Sequence, residues 1–452
     1  MDRARHEDLA AQLLQAARAA GAEVADVVIA MGESLSAETR DGRLEHAERA
    51  EGIDLGLRVL IGRRQACAAA SDARPETMAA LAERAVAMAK AAPDDPWCGL
   101  ADPSQLAAEN LRDARALLLD DPAGAPTAAT LEADALAAEA ACAAVNGVAQ
   151  VGGAGASWSR TAIYLAATNG FSGGYARSHA SVFASGIAGE GLGMERDHAA
   201  ETRRARGDLP SSEAIGHLAG MRAVERLNPR RAPTGPVPVL FDQRVSASLI
   251  GHLSGAMNGS SVARGSSWLK DRMGDLVLPE GFDLIEEPMR IHGPGSRPFD
   301  GEGIKAQDRM MIENGRLMGW TLDLASARQL GLKSSGNAGR GMASPPSPSV
   351  TNLRLNAPGR DRAAMLASMG TGLLVTSLIG ASINANTGDY SRGAAGFWIE
   401  NGEIAYPVNE LTIAGNLNAM LAVLEAGTDA DPHRGAVVPS LLVARGLTVA
   451  GG

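Results

Sequence analysis

One histidine lies in a stretch with a helical pattern, at residues 246–259 (SASLIGHLSGAMNG). Leu249 and Leu253 fall on the apolar face of this predicted helix, and His252 falls at the edge of that face. A zinc peptidase helix needs two imidazoles on one face to hold the metal, and a carboxylate to take a proton from the bound water. The stretch contains neither a second histidine nor a glutamate. The pattern by itself therefore favours a half-buried packing role for His252.

The densest group of polar residues lies late in the chain, among glycines. A polar loop between two strands would account for it, but such loops also line binding sites, because glycine lets the backbone approach a ligand. This run offers hydrogen-bond donors and acceptors for an extended peptide. It offers no metal cluster and no nucleophile paired with a base. The candidate substrate contacts are Asn384, Asn386, Thr387, Asp389, Tyr390, Ser391 and Arg392.

A serine acylase pattern is present but incomplete. Ser267 and Lys270 match SxxK, and residues 335–337 match the second element, Ser-Gly-Asn. The third element needs a lysine before Ser/Thr-Gly, and no lysine follows Lys333. A pattern as short as SxxK arises by chance in a chain of this length, so it carries little weight here.

Composition limits the classes of function. The chain has 452 residues, is 45% hydrophobic and carries a net charge of -10, with acidic and basic residues interspersed. The absence of a basic run argues against a nucleic-acid partner. Three widely spaced cysteines fit a reduced protein without a disulfide scaffold. No segment approaches the roughly 18 consecutive apolar residues of a membrane span, and the N-terminus lacks a signal-peptide pattern. These features predict a cytoplasmic protein with no membrane partner.

The elements that must position these residues form an α+β pattern. Asp41-Gly42 predicts a hairpin, and the strict alternation of apolar residues from Ile53 to Ile61 predicts a strand with one buried face. Proline-rich stretches divide the chain. The predicted domains are an N-terminal α+β domain with an antiparallel sheet at residues 1–92, a central helix plus antiparallel strand meander at residues 104–229, and a β-rich C-terminal domain at residues 237–452.

The segment at residues 387–421 resembles the C-terminal signature of the TldD/PmbA family, peptidases also known as modulators of DNA gyrase. Residues 169–171, 233–242 and 339–355 match further landmarks, so the resemblance spans nearly the whole chain. The motifs GDYSRGA, FWIENGEI and TIAGNL are closer to the TldE/PmbA branch than to TldD.

This resemblance implies a subunit of a cytoplasmic TldD/TldE metalloprotease that cleaves unfolded or extended peptides, as in microcin maturation and antitoxin degradation. In that family the TldD subunit carries the zinc site, HExxxH plus a late cysteine. When the family's Gly-His is placed on His252, Ala247 and Ser248 occupy the histidine and glutamate positions. No cysteine follows Cys142. The resemblance therefore implies no metal and no catalytic residue in this chain, with zinc held by a TldD-like partner in a heterodimer.

Two alternatives stay open. The chain could be a stand-alone homodimeric protein that binds peptides or small ligands without protease activity. It could also be a metal-free hydrolase that uses Asp389, Tyr390 or Ser391, although no histidine lies near these residues in the sequence.

Overall fold

A computed structural model describes residues 3–451 of the chain. Its first layer is an antiparallel six-stranded sheet in the order β3-β2-β1-β4-β5-β6, which joins strands from both sides of residues 92–104. These strands are β1 (Val24–Arg40), β2 (Arg43–Ile61), β3 (Arg64–Ala70), β4 (Val148–Ala167), β5 (Ser172–Ala188) and β6 (Glu195–Arg203).

Four helices cover one face of this sheet and bury its apolar residues in two neighbouring clusters. The N-terminal pair packs on β1 and β2, and the second pair packs on β4, β5 and β6. Alternation along β1 explains this, because every second side chain points to the same face. The helices are α1 (Arg3–Ala19), α2 (Pro75–Ala91), α3 (Ala128–Ala143) and α4 (Ser212–Glu225).

The hairpin predicted at Asp41-Gly42 is confirmed, with β1 and β2 pairing on either side and φ angles of 53° and 70° at the two turn residues. The prediction of one buried face for β2 is wrong. Leu57 is buried under α2, but Gly56 and Arg58 on the opposite face are buried too. A Cβ at Gly56 would lie 2.6 Å from the Met342 carbonyl oxygen. Alternation identifies the apolar face and cannot show that the C-terminal region covers the other one.

A buried ion pair fixes that contact between the first sheet and the C-terminal region. Asp26 and Arg58 lie directly opposite each other on β1 and β2, and the Arg58 Nε donates to the Asp26 carboxylate at 2.5 Å. The Arg340 Nε donates to the other oxygen of Asp26 at 3.1 Å. All three side chains are at most 4% exposed. One carboxylate therefore compensates two buried guanidiniums from distant parts of the chain.

The C-terminal region is dominated by short strands. It contains a nine-stranded sheet in the order β15-β19-β21-β8-β16-β17-β18-β22-β7, a five-stranded sheet and a two-stranded one. The strands are β7 (Gly235–Pro236), β8 (Val239–Phe241), β9 (Asp283–Glu286), β10 (Arg309–Glu313), β11 (Arg316–Leu317), β12 (Ala338–Gly339), β13 (Ser347–Pro348), β14 (Leu353–Asn356), β15 (Gly359–Arg360), β16 (Gly372–Ile383), β17 (Asp389–Glu400), β18 (Glu403–Asn416), β19 (Leu424–Gly427), β20 (Ala436–Val437), β21 (Leu441–Val443) and β22 (Leu447–Gly451).

Helices lie on both faces of the nine-stranded sheet. Helix α5 (Gln243–Ala256) packs with the largest apolar cluster. Helix α8 (Arg362–Met369) packs on the opposite face, over Leu240 and Leu374. The helices of this region are α5 (Gln243–Ala256), α6 (Gly259–Ala263), α7 (Leu324–Gln329), α8 (Arg362–Met369) and α9 (Leu417–Leu421).

The α+β class predicted from the sequence, with antiparallel sheets followed by a strand-rich C-terminal region, is confirmed. The predicted domain limits at 92, 104, 229 and 237 stay predictions. The outermost limits, residues 1 and 452, lie outside the described residues.

Replacing the shared carboxylate tests the role of the buried ion pair. In Asp26→Asn, Arg58 and Arg340 lose their counter-charge in a site that excludes water. We expect the free energy of unfolding to fall by about 3–5 kcal/mol, measured by urea denaturation. Glu51→Gln is the control, because its ion pair with Arg49 is exposed and should contribute little. A loss for Asp26→Asn no larger than that of Glu51→Gln would contradict this role.

Candidate functional site

Helix α5 is present where the sequence predicted a helix, but it begins earlier. Asp242 caps it by accepting a hydrogen bond from the Arg244 N–H at 3.0 Å. Leu249, Ile250 and Leu253 are fully buried against the nine-stranded sheet. The helix ends before Asn258, which caps α6. The missed start reflects an aspartate cap that lies outside the apolar pattern.

His252 is half-buried at the edge of this apolar face. Its ring meets the Tyr390 ring edge-on, with centroids 5.9 Å apart and an interplanar angle of 74°. The His252 Nε2 is buried and makes no hydrogen bond within the described chain. Burial, followed by the nearby charge of Arg392, lowers the pKa of the imidazole. His252 is therefore held as a neutral ring packed against an aromatic neighbour.

The two other positions of the degenerate metal helix offer no metal ligand. The Ala247 methyl packs at the edge of the apolar cluster, and the Ser248 hydroxyl donates to the Val245 carbonyl within the helix at 2.6 Å. Cys142 is buried in the cluster beneath the six-stranded sheet. Within residues 3–451 no group of three or more His, Cys, Asp and Glu side chains could hold a metal ion. One imidazole without a carboxylate does not fit the zinc site of a metallopeptidase.

The polar run at residues 384–392 closes the hairpin between β16 and β17. The Thr387 hydroxyl donates to the Asp389 carboxylate at 2.6 Å, and the Asn416 amide donates to the other Asp389 oxygen at 3.0 Å. These two bonds lower the pKa of Asp389. The Asn386 N–H donates to the Asn384 side chain at 3.0 Å. The exposed side chains of this loop are thus largely engaged with one another, and their contact with substrate stays a prediction.

The end of the run belongs to β17 and reaches His252. Tyr390 is 2% exposed, its hydroxyl makes no hydrogen bond within the described residues, and burial raises its pKa to about 12. Arg392 lies on the same face and donates from Nε to the Gly380 carbonyl at 2.6 Å. Ser391 points to the opposite face of the strand, away from His252. A metal-free hydrolase would need a base against Ser391, and this geometry does not supply His252 as one.

The serines of the acylase pattern have structural partners. The buried Ser267 hydroxyl donates to the Ala256 carbonyl at 2.5 Å and accepts from the Leu269 N–H at 3.1 Å. The Ser335 hydroxyl accepts from the Leu322 N–H at 2.8 Å. Both hydroxyls hold loops in place, which agrees with the low weight given to the pattern.

A cleft of about 750 Å³ was not predicted from the sequence. It lies between the central part of the chain (β6 and α4) and the C-terminal part (the start of α5, β16 and the segment at 434–438). Ala247 lies on its wall, so the degenerate metal helix borders it. Its charged lining consists of Arg196, Asp197, Arg222, Arg226, Arg244 and Arg434, together with His198. These residues come from four separate segments of the sequence, near 196–198, 222–226, 244 and 434, and no single segment indicates a cleft.

One wall of this cleft is a strand with an unpaired edge. Strand β16 pairs with β8 only over Leu373–Val375, and the other pairing, with β17, continues to Ile383. In the described structure no strand flanks β16 on the β8 side beyond Val375. Thr376 lies at a bulge, and Ile379 is 69% exposed. An unpaired, exposed edge can accept an added extended segment.

Comparison with known proteins shows what this architecture belongs to. Three consecutive segments match the PmbA/TldA metallopeptidase: domain 1 at residues 25–89, the central domain at residues 121–227 and the C-terminal domain at residues 234–451. Metalloprotease PmbA of Escherichia coli O157:H7 is 37% identical over 93% of this chain and 90% of its own length. The Metalloprotease PmbA homolog of Haemophilus influenzae is 35% identical over the same shares.

Solved structures share the fold. A Bacteroides thetaiotaomicron protein assigned as a modulator of DNA gyrase superposes with a TM-score of 0.89, at 23% identity, with both chains fully covered. TldE from Thermococcus kodakarensis superposes with a TM-score of 0.83, at 20% identity, over 98% of this chain and 100% of that one. The chain therefore belongs to the PmbA/TldD metallopeptidase family. None of the helices described here is long and apolar enough to cross a membrane.

The lowered pKa of His252 predicts how pH affects stability. The unfolded chain binds a proton at about pH 6.5, whereas the folded chain resists protonation until a lower pH. The contribution of His252 to the free energy of unfolding is therefore complete above pH 6.5 and is lost as the pH falls below that value. The loss is at most about 1.4 kcal/mol per pH unit. Urea denaturation between pH 8 and pH 5 should show a smaller loss for His252→Gln than for the wild type.

The matched control is His217→Gln, at an exposed position of α4. It should keep the wild-type pH dependence. An identical pH dependence for His252→Gln and the wild type would contradict the account of His252 as a neutral packing residue.

Proposed function

We propose that this chain is a TldE/PmbA-type subunit that acts with a TldD-like catalytic chain in peptide hydrolysis and is not itself catalytic. The observation that carries the proposal is the degenerate helix α5. It presents His252 beside Tyr390, while Ala247 and Ser248 stand where a ligand and a base would be needed. A catalytic zinc needs further protein ligands, and its bound water needs a general base; Ala247 and Ser248 supply neither.

In this proposal the zinc is held by the TldD-like partner, and this chain contributes a surface that receives substrate. The unpaired edge of β16 supports that role, since an extended peptide can add to it as a further strand through backbone hydrogen bonds. Recognition through the backbone suits unfolded or extended peptides of varied sequence. A microcin precursor or an antitoxin in the cytoplasm would be a substrate of this kind.

Reconstitution tests the proposal. The full chain is purified alone and together with a TldD-like partner, and hydrolysis of an unstructured fluorogenic peptide is followed with and without EDTA. The isolated chain should give no hydrolysis above the blank. The mixture should cleave the peptide at least about tenfold faster than the partner alone, because two subunits enclose the substrate, and EDTA should abolish the activity.

Two results would contradict the proposal. EDTA-sensitive hydrolysis by the isolated chain would show that it carries its own metal chemistry. An unchanged rate and substrate choice on adding the chain to its partner would remove the subunit role. If the chain then also formed only homodimers that bind peptide, the stand-alone binding protein would be favoured instead.

A further inference from the structure

The cleft beside α5 holds more positive charge than its own carboxylates neutralise. Asp197 receives both Arg226 and Arg244, at 3.4 and 3.3 Å. Other carboxylates reach the cleft arginines from behind: Glu195, Glu201, Asp242 and Asp431. Of these, Glu201 also pairs with Arg203, and Asp242 also pairs with Arg362. Among the described residues, five guanidiniums therefore share these five carboxylates, and two further cleft arginines are left without an ion pair.

Arg196 and Arg222 are the two cleft arginines that pair with no carboxylate in the described chain. Arg222 is half-buried on α4, and its only hydrogen bond there is from Nη1 to the His198 carbonyl at 3.1 Å. Burial, followed by the adjacent charge of Arg244, lowers the pKa of this guanidinium, although the carboxylates Asp197, Asp242 and Glu201 act in the opposite direction. Arg196 is exposed on β6 and lines the cleft. A guanidinium offers five N–H donors, so most of those on Arg222 are unused.

A second unpaired polar group lies in the facing wall of the cleft, on β16. Thr376 is 7% exposed, it lines the cleft, and its hydroxyl makes no hydrogen bond within residues 3–451. The β-bulge between Val375 and Ser377 places it out of the regular pairing with β17. A buried hydroxyl without a partner costs about 1–3 kcal/mol, so a ligand that drew this side chain toward the cleft would gain a hydrogen-bond donor from it.

The positive character continues past Arg434 into a smaller adjoining cavity of about 200 Å³ that is also lined by His179 and Arg204. Burial and the charges of Arg204 and Arg177 lower the pKa of His179 to about 4. The guanidiniums that line the smaller cavity, Arg203, Arg204 and Arg434, outnumber its one carboxylate, Asp208, so positive charge extends beyond the cleft.

We propose that this cleft binds a carboxylate of an extended peptide, held by Arg222 and Arg196 with the Thr376 hydroxyl as a further donor. Arginine forms two parallel hydrogen bonds with a carboxylate, which suits a planar anionic group. The unpaired edge of β16 lines this cleft on the side facing β6 and α4, so a peptide added to that edge would lie opposite these arginines. The inference rests on the proposed function in taking a peptide as the ligand.

A nucleic acid fits this cleft less well. Its lining contains no Phe, Tyr or Trp on which a base could stack, and the whole chain carries a net charge of -10. The carboxylate itself has two sources, the peptide's C-terminus or an Asp or Glu side chain, and the chemistry at the arginines is the same for both.

Fluorescence anisotropy on the isolated full chain tests the proposal with four labelled probes. The first is a short Ala/Thr/Val peptide with a free C-terminal carboxylate, and the second is an amidated peptide with an internal Asp-Glu pair. The third is the amidated peptide without acidic residues, and the fourth is a short single-stranded oligonucleotide. The first, the second or both should bind at least about tenfold more tightly than the third and the fourth, and more weakly as salt rises.

Variants locate the site. Arg222→Gln and Arg196→Gln should each weaken binding of the carboxylate probe, Arg222→Gln by roughly tenfold. Arg49→Gln is the matched control, because Arg49 is exposed on β2 and pairs only with Glu51. Its affinity should equal that of the wild type. Arg196 is exposed, so its replacement leaves the fold intact if Arg222→Gln proves unstable.

Three outcomes would overturn the proposal: equal binding of the neutral amidated peptide, tighter binding of the oligonucleotide than of any peptide, or equal affinity in the cleft variants and in Arg49→Gln. Its failure is distinct from failure of the proposed function. Partner-dependent hydrolysis with no carboxylate preference would remove only the cleft assignment. Carboxylate binding at Arg222 without any effect on a partner would remove only the subunit role.

Discussion

The burial of one face of α5 against the nine-stranded sheet is the constraint on which the rest of this region depends. Leu249 and Leu253 are fully enclosed there, so the helix cannot turn or slide without opening the largest apolar cluster of the chain. This fixes His252 over Tyr390 on one side and Ala247 at the cleft on the other. The helix therefore sets both the degenerate metal position and the adjoining wall.

This packing gives α5 a structural role that does not depend on metal chemistry. An apolar face that supports a large core is kept for stability whatever the polar edge does, because replacing its leucines would cost several kcal/mol each. The polar edge, by contrast, is free to change. In the alignment on which the proposed function rests, Ala247 and Ser248 take the positions of an imidazole and a carboxylate, and His252 packs as a neutral ring.

Local patterns predicted the local elements well. The alternation of β2, the turn at Asp41-Gly42 and the helical spacing around Leu249 each depend on neighbours in the sequence, and all three elements are present. The cover over the second face of β2 was missed, because it comes from Met342 and Arg340 far along the chain. A periodic pattern holds no information about which distant segment will pack on it.

The cleft was missed for the same physical reason. Its arginines come from β6, from α4 and the residue after it, from α5 and from the segment near Arg434, so no short window of sequence contains more than two of them. The polar run at 384–392 was conspicuous because its residues are adjacent. Many of those polar side chains hydrogen-bond to their neighbours, as Thr387 and Asn416 do with Asp389. Polar residues that are adjacent in the sequence need not form a site, and residues that form a site need not be adjacent in the sequence.

The central claim of the proposed function is that α5 does not support a zinc site in this chain. The most direct measurement is the zinc content of the purified full chain after incubation with zinc and removal of free metal, compared with that of His252→Ala. The account predicts well under about one zinc per chain in both proteins, because a single imidazole binds zinc too weakly to retain it. Roughly one zinc per chain in the wild type, lost in His252→Ala, would contradict it.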